Sequence, residues 1–209
     1  MSVSVIIPAY NEEKYLEATL KSIDFGEKIV VCNGCTDNTV QVANKYANKV
    51  IVLKEKGVSK ARNMGALHAT HNRLVFLDAD ILVQKGLLKK IAHSSFSIGT
   101  SKVKPDSNKL IDKTMMWLKT QVHPFGFCTG LIFCNKELFN KVGGFNETLS
   151  LGEDGGFLRA AKKQEKFGVV NGYVYNNMRR FREVGHTAIL TFWIKNFFFK
   201  HKNEYSSIR

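Results

Sequence analysis

Proline is scarce, with three in 209 residues. No low-complexity stretch occurs either, so the sequence shows no linker and no repeat, and its length suits one compact domain. Long apolar runs are missing. The longest candidate, Ala188 to Phe199, contains Lys195 and falls short of the roughly 20 apolar residues that a membrane span needs. The N-terminus opens on a strand-like run, with no basic region or cleavage site, which points to a cytoplasmic protein. Cysteine is limited to Cys32, Cys35, Cys128 and Cys134. The first two have redox or half-zinc spacing, but no second half matches them. Cys128 and Cys134 would lie roughly 20 Å apart in an extended strand, too far for one zinc. Free, reduced thiols are expected.

Positive charge is abundant. The net charge is +13. It is uneven: residues 159–209 carry 11 Lys or Arg against 3 Asp or Glu, and the remainder carries 20 against 15. A basic C-terminal third fits a partner rich in phosphate or an anionic membrane surface, or else a face tuned for solubility. At 44% hydrophobic and 23% charged residues, the chain is able to bury a core.

Short β-branched runs alternate with helical periods. Val3 to Ile7 reads as a strand ended by Pro8. Asn11 is placed to cap a helix bearing Leu16, Leu20 and Ile23. Lys28–Cys32 is a second strand broken at Asn33-Gly34, with Thr36 or Asp37 capping the next helix. Val50–Leu53 is a third strand, Lys60–Thr70 a helix and Arg73–Leu77 a fourth strand. Further on, a helix over Leu110–Val122 should bury Ile111, Met115, Leu118 and Val122. A strand over Gly130–Cys134 and a short helix stopped by Gly143-Gly144 follow. Helices from about Glu153 and over Thr187–Lys200 complete the chain. This alternation predicts an α/β fold with a mostly parallel sheet flanked by helices. Ligands bind such sheets at the carboxyl ends of strands. The polar turns at Pro8-Ala9-Tyr10-Asn11-Glu12, Asn33-Gly34 and Asp78-Ala79-Asp80 should therefore gather on one edge.

Asp78 and Asp80 end an apolar strand, and two carboxylates so placed suit a hard divalent cation that bridges to a diphosphate. A chance turn is the alternative. Glu153-Asp154 opens a helix; it serves either as a cap or as a general base. Arg179, Arg180 and Arg182 around Phe181 suit phosphate. His186, four residues beyond Arg182, is either structural or a metal or phosphate ligand. The aromatic last helix, flanked by lysines, fits an interfacial membrane segment or a helix packed on the core or on a second subunit.

In order and spacing, VSVIIPAYNEEKYLEATLKSI, IVVCNGCTDNT, GVSKARNMGALHAT, LVFLDADILV, GLIFCNKELFNKVGGFNETLSLGEDGGFLRAAKK and MRRFREVGH resemble the family 2 glycosyltransferases of the GT-A fold. The resemblance covers about residues 3 to 200. It implies one Rossmann-like GT-A domain. About residues 1–100 would bind the nucleotide sugar and 101–186 the acceptor, with 187–200 as the aromatic, basic helix. It implies a donor seat at Pro8, Ala9, Tyr10, Glu12, Cys32, Asn33, Arg62, Asp78, Ala79 and Asp80. Asp78 and Asp80 would meet ribose and a Mn²⁺ or Mg²⁺ ion, and Asp154, beside Glu153, would be the catalytic base. Arg180, with Arg179 and Arg182, matches a basic segment that closes over phosphate and acceptor. Cys32 and Cys35 depart from the family pattern of an acidic residue and a serine, and a thiol is a poor acceptor for reading a base.

The resemblance implies transfer of a sugar from a nucleotide-diphosphate donor to a sugar, a glycolipid or a polyprenyl phosphate. Inversion at the anomeric carbon is expected, with the protein peripheral at the inner face of a membrane. A retaining enzyme with His186 as a metal ligand is the alternative within the fold. A nucleotidyltransferase would open on a Gly-rich loop, which is missing. A nucleic-acid binder leaves the clustered acids unexplained; no nucleic acid is expected.

Overall fold

A computed structural model describes residues 1–121, 130–149 and 152–198, apart from the side chains of 192 and 194–198. Cys128 and the far ends of two expected helices, at 122 and 199–200, lie outside the described residues. The first half runs β1 (Val3–Ala9), α1 (Leu16–Ser22), β2 (Glu27–Asn33), α2 (Thr39–Tyr46), β3 (Lys49–Leu53), α3 (Val58–Leu67) and β4 (Arg73–Leu77). The second half runs β5 (Ile81–Val83), α4 (Leu87–Ala92), β6 (Ile98–Pro105), α5 (Leu110–Gln121), β7 (Leu131–Asn135), α6 (Lys136–Lys141), α7 (Glu153–Lys162), β8 (Phe167–Asn176), α8 (Arg179–Val184) and α9 (His186–Phe198).

The strands form one sheet in the order β3-β2-β1-β4-β7-β6-β8-β5. β1 to β4 are parallel. β7 runs antiparallel to both β4 and β6, and β5 antiparallel to β8, so the sheet is mixed. Helices cover both faces, which is why the inner strands are apolar on both sides. Val3, Val5 and Ile7 enter one core with Val75 and Leu77. Ile6, Ile29 and Val31 enter the other with Phe76. In that second core Phe145 stacks on Phe157 at 4.5 Å and meets Phe76 edge-on at 4.9 Å. The aromatic group thus ties β4 to the start of α7. α3 lies directly on β1: a Cβ at Gly65 would sit 2.3 Å from Ile6 Cγ2.

Several local expectations are corrected. Pro8 stands inside β1, two residues past the last β1–β4 pair at Ile6. One side of the strand is unpaired there, so a missing N–H costs little. Asn11 does not cap α1. It adopts φ 53°, and its side chain crosses to accept from Thr36 N at 2.8 Å and to donate to Thr36 Oγ1 at 3.1 Å. Asp37 does serve the start of α2, accepting from Thr39 N at 2.9 Å, while Thr36 belongs to Asn11. α5 buries Asp112, Met115 and Met116. Ile111 and Leu118, expected inside, are 51% and 38% exposed. A polar group takes the inward place because Asp112 finds Ser107 and His186 there.

Candidate active site

β1, β2 and β4 are adjacent and parallel, so the segments after Ala9, Asn33 and Leu77 emerge at one edge. Hydrogen bonds lace them together. Asn33 Nδ2 donates to Ala9 O at 2.9 Å, and Asn33 Oδ1 accepts from Gly57 N, at the start of α3, at 3.1 Å. Thr39 Oγ1 accepts from Glu12 N at 2.7 Å. Thr19 Oγ1 donates to Ala79 O at 2.8 Å, which pins the Asp78-Ala79-Asp80 turn to α1. Asp78 N donates to Gly130 O at 3.0 Å, so the strand pairing with β7 runs on into the turn.

Five carboxylates face this edge, and two arginines hold them. Arg62 is 4% exposed. From α3 it reaches Asp78 Oδ1 at 3.1 Å with one terminal nitrogen, and Glu153 Oε1 at 3.0 Å and Asp154 Oδ1 at 2.7 Å with the other. Its guanidinium rests over Phe145, 5.0 Å from the ring centroid. A buried charge demands partners; Arg62 has three, which hold its pKa above the usual arginine range against the effect of burial. The Asp154 contact is an ion pair without hydrogen-bond alignment: Oδ1 is sealed from solvent, while the side chain as a whole keeps 29% exposure. Burial raises Asp154 to about 7, Arg62 opposes that rise, and Glu153 and Asp78 add to it.

Arg179 forms the second bridge. It lies 2.7 Å from Glu12 Oε1 and 3.1 Å from Asp80 Oδ2, with its guanidinium 4.3 Å from the Tyr15 ring centroid. Burial first, then the neighbouring Asp78 charge, lifts Asp80 to about 6, while Arg179 pulls the other way. Glu12 is 5% exposed, and its Oε2 has no hydrogen-bond partner.

The structure thus brings Glu12, Arg62, Asp78, Asp80, Glu153, Asp154 and Arg179 together. Pro8 and Ala9 close β1, and Tyr10 lies on the rim with Lys56 Nζ 4.3 Å from its ring centroid. Other expected residues are placed differently. Cys32 is fully buried in the core, and burial, with Cys35 next to it, pushes its thiol up to about 12. Both ends of the Asn33 amide are engaged by backbone. Cys32, Cys35 and Cys134 are free thiols. Arg180 is half-buried in α8, and Arg182 pairs with Asp106 at 2.8 Å. His186 Nε2 lies 2.5 Å from Asp112 Oδ1. No ion pair among the described residues joins it to Asp78 or Asp80, and these residues hold no cluster of three or more His, Cys, Asp or Glu suited to a metal. Thr19, Thr39 and Phe145 were not expected to support the site. Only Thr39 carries a local cue, the Asp-x-Thr spacing of a cap.

A sequence model of Glycosyl transferase family 2 matches residues 4–142. The poly(ribitol-phosphate) β-N-acetylglucosaminyltransferase TarS of Staphylococcus aureus is 35% identical over 105 residues, covering 44% of this chain and 18% of TarS. The minor teichoic acid biosynthesis protein GgaB of Bacillus subtilis is 26% identical over 227 residues, covering 95% of this chain and 25% of its own length. The chain therefore spans a quarter or less of both relatives. Among solved structures, S. aureus TarS 1–349 in complex with UDP-GlcNAc superposes with TM-score 0.71 at 26% identity, over 86% of this chain and 59% of that one. The mannosyltransferase PcManGT of Pyrobaculum calidifontis, solved with GDP-Man and Mn²⁺, gives TM-score 0.65 at 22% identity, over 84% and 56%. The curled, mostly parallel sheet flanked by helices is that of the GT-A fold.

Proposed function

The chain belongs to glycosyl transferase family 2, and from that premise we propose that it moves a sugar from a nucleoside-diphosphate sugar to an acceptor hydroxyl or phosphate, with inversion and with help from a divalent cation. The observation that carries this reading is the pair of arginine bridges over five carboxylates at the strand ends. A purely structural edge has no need to concentrate so much opposed charge, since buried ion pairs add little net stability.

The residues divide by position. Pro8 to Glu12 and the α3 start, held in register by Asn33, form the donor's seat. Cys32 is buried and both ends of the Asn33 amide are engaged, so reading of the base falls to rim groups, the half-buried Tyr10 with the exposed Lys56. A Mn²⁺ or Mg²⁺ ion fits Asp78 and Asp80: both are hard oxygen donors, and the orphaned Glu12 Oε2 marks unmet demand for a cation nearby. With no third acidic or imidazole ligand clustered there among the described residues, the diphosphate and water would complete its shell, as is usual for magnesium. When bound, the ion supplies charge neutralisation to the departing diphosphate. Arg179, now shared between Glu12 and Asp80, is placed to turn toward phosphate, with Arg180 and Arg182 on the same short helix. For a hydroxyl acceptor Asp154 takes the proton as the oxygen attacks, and Arg62 and Glu153 keep Asp154 in place; an ionised phosphate acceptor attacks without that step. A raised pKa suits that work, because a base near the working pH combines proton affinity with an ionised population. The acceptor is a sugar, a glycolipid or a polyprenyl phosphate.

The test is a thermal-shift panel of nucleotides and sugar nucleotides, each with and without Mn²⁺ or Mg²⁺, run beside Asp80→Ala. A ligand bound only by the folded state raises stability by about 2.7 kcal/mol at a hundred times its Kd. Stabilisation by one diphosphonucleotide that needs the cation and disappears in Asp80→Ala is expected. Folded protein that no member of the panel stabilises would overturn the proposal.

A further inference from the structure

α5 is an amphipathic helix with its apolar stripe turned outward. Leu110 is 80% exposed, Ile111 51%, Trp117 60% and Leu118 38%. These positions fall seven residues apart in pairs, two turns of helix, so they share one face. The opposite face is filled by Asp112, Met115 and Met116. Exposed apolar side chains elsewhere, such as Val52, Leu67 and Val169, lie singly and need no explanation. Four on one short helix form a patch.

Charge decides what the patch fits. Lys113 on the helix and Lys109 immediately before it are both exposed. The helix has one acid, Asp112, and it is turned inward to Ser107 and His186. The outer face is therefore apolar and basic with no acid of its own. A second copy packed on it would set lysine against lysine. An anionic bilayer surface complements both features, with tryptophan at the headgroup level and lysines on its flank. We propose that the outward face of α5 docks this protein onto an anionic membrane surface.

The surrounding structure sets the orientation. Lys119 Nζ lies 5.9 Å from the Trp193 ring centroid of α9, and Trp193 meets Phe181 edge-on at 5.7 Å. α9 thus packs on the inward side of α5, where Asp112 also meets His186, and leaves Leu110, Ile111 and Trp117 exposed. β6, which leads into α5, is antiparallel to β7, and β7 is antiparallel to β4. β6 therefore ends on the same edge as Asp78. Lys119 is close enough to Asp154 to act on its ionisation. A docked α5 would hold the acceptor side of the site at the lipid surface. That last step rests on the transferase reading; the docking does not.

The full chain is sedimented with phosphatidylcholine vesicles, with and without phosphatidylglycerol, beside the double variant Ile111→Ser/Trp117→Ser. Both positions are exposed, so the fold should stand, and an unchanged circular-dichroism spectrum and urea midpoint check it. Wild type should bind the anionic vesicles only, weakening with salt, and the variant should bind at least about tenfold more weakly. In a Trp193→Phe background, Trp117 emission should shift to the blue on binding. No vesicle binding, equal binding by the double variant, or a wild-type dimer that the double variant abolishes while vesicle binding is unchanged would each overturn the docking. Asp154→Asn should bind vesicles like wild type, so a failed transferase reading leaves this result separate.

Discussion

A carboxylate sealed on one side against a buried arginine titrates unlike a surface aspartate. Asp154 keeps its place because Arg62 spans it, Glu153 and Asp78, and it keeps proton affinity because burial outweighs that arginine. Asp154→Asn preserves shape and removes the proposed base. Its kcat is expected to fall by about 10²- to 10⁴-fold, while nucleotide-dependent stabilisation remains. In wild type, activity should climb as pH rises through about 7, the range in which the base becomes ionised, and Asp154→Asn should lose that limb in a pH–rate profile. At this scale the charged residues were legible. Asp78, Asp80, Asp154 and Arg62, all expected at one site, come together at one edge; their roles there are proposed. Asn33 and His186 were not. The Asn33 amide is spent on Ala9 and Gly57, and His186 turns to Asp112, 74 residues away. Such partners are set by tertiary approach, which spacing along the chain does not encode.

Strands with continuous apolar runs announced themselves. Arg73–Leu77 stands where it was expected, because a strand buried on both faces has little choice of residue. β6 and β8 stayed hidden. β8 alternates between buried and open positions and carries Gly168 and Gly172; its pairing with β6 shifts register after Ser101. The α5 period was read correctly but its inward face was not, since an apolar stripe does not declare whether it faces core or surroundings. At the opposite edge of the sheet from the site, Glu27 joins several elements. Its Oε2 accepts from Ser4 Oγ of β1 at 2.7 Å and from Thr70 N at 3.1 Å, and its Oε1 lies 2.8 Å from Lys49 Nζ of β3. Burial would raise its pKa, but Lys49, Ser4 and Thr70 outweigh burial and bring it down to about 2. The folded state therefore releases this proton more readily than the unfolded chain. The stability it contributes is full above the ordinary value of 4.5 and is lost as pH falls toward about 2. Glu27→Gln should lower the urea midpoint at neutral pH by the equivalent of about 1–3 kcal/mol. The gap to wild type should close on acidification; a gap constant with pH would count against the linkage.

The whole molecule is strongly cationic, yet its ligand edge is acidic and crowded, and that contrast gives the unliganded protein an unusual response to pH. Asp80 and Asp154 ionise at about 6 and about 7 in the fold, against an ordinary 3.8. Between those values the folded state binds more protons than the unfolded chain. Stability from these two groups is thus full below about pH 4 and is lost as pH rises through 6 and 7. Glu27 acts in the opposite sense at lower pH, so stability should pass through a maximum on the acid side of neutrality. Chemical denaturation across this range should show the descending limb, with a slope of up to about 1.4 kcal/mol per pH unit for each proton involved. Asp80→Asn removes one of the two protons from that limb and should flatten it near pH 6, a comparison in which the six histidines cancel. A divalent cation with a nucleoside diphosphate should flatten it further in wild type, because a cation beside Asp80 favours its ionised form. An apoprotein whose stability is level from pH 5 to 8, and is unchanged by Asp80→Asn, would mean that the two arginines already neutralise the edge and leave no unmet demand for a cation.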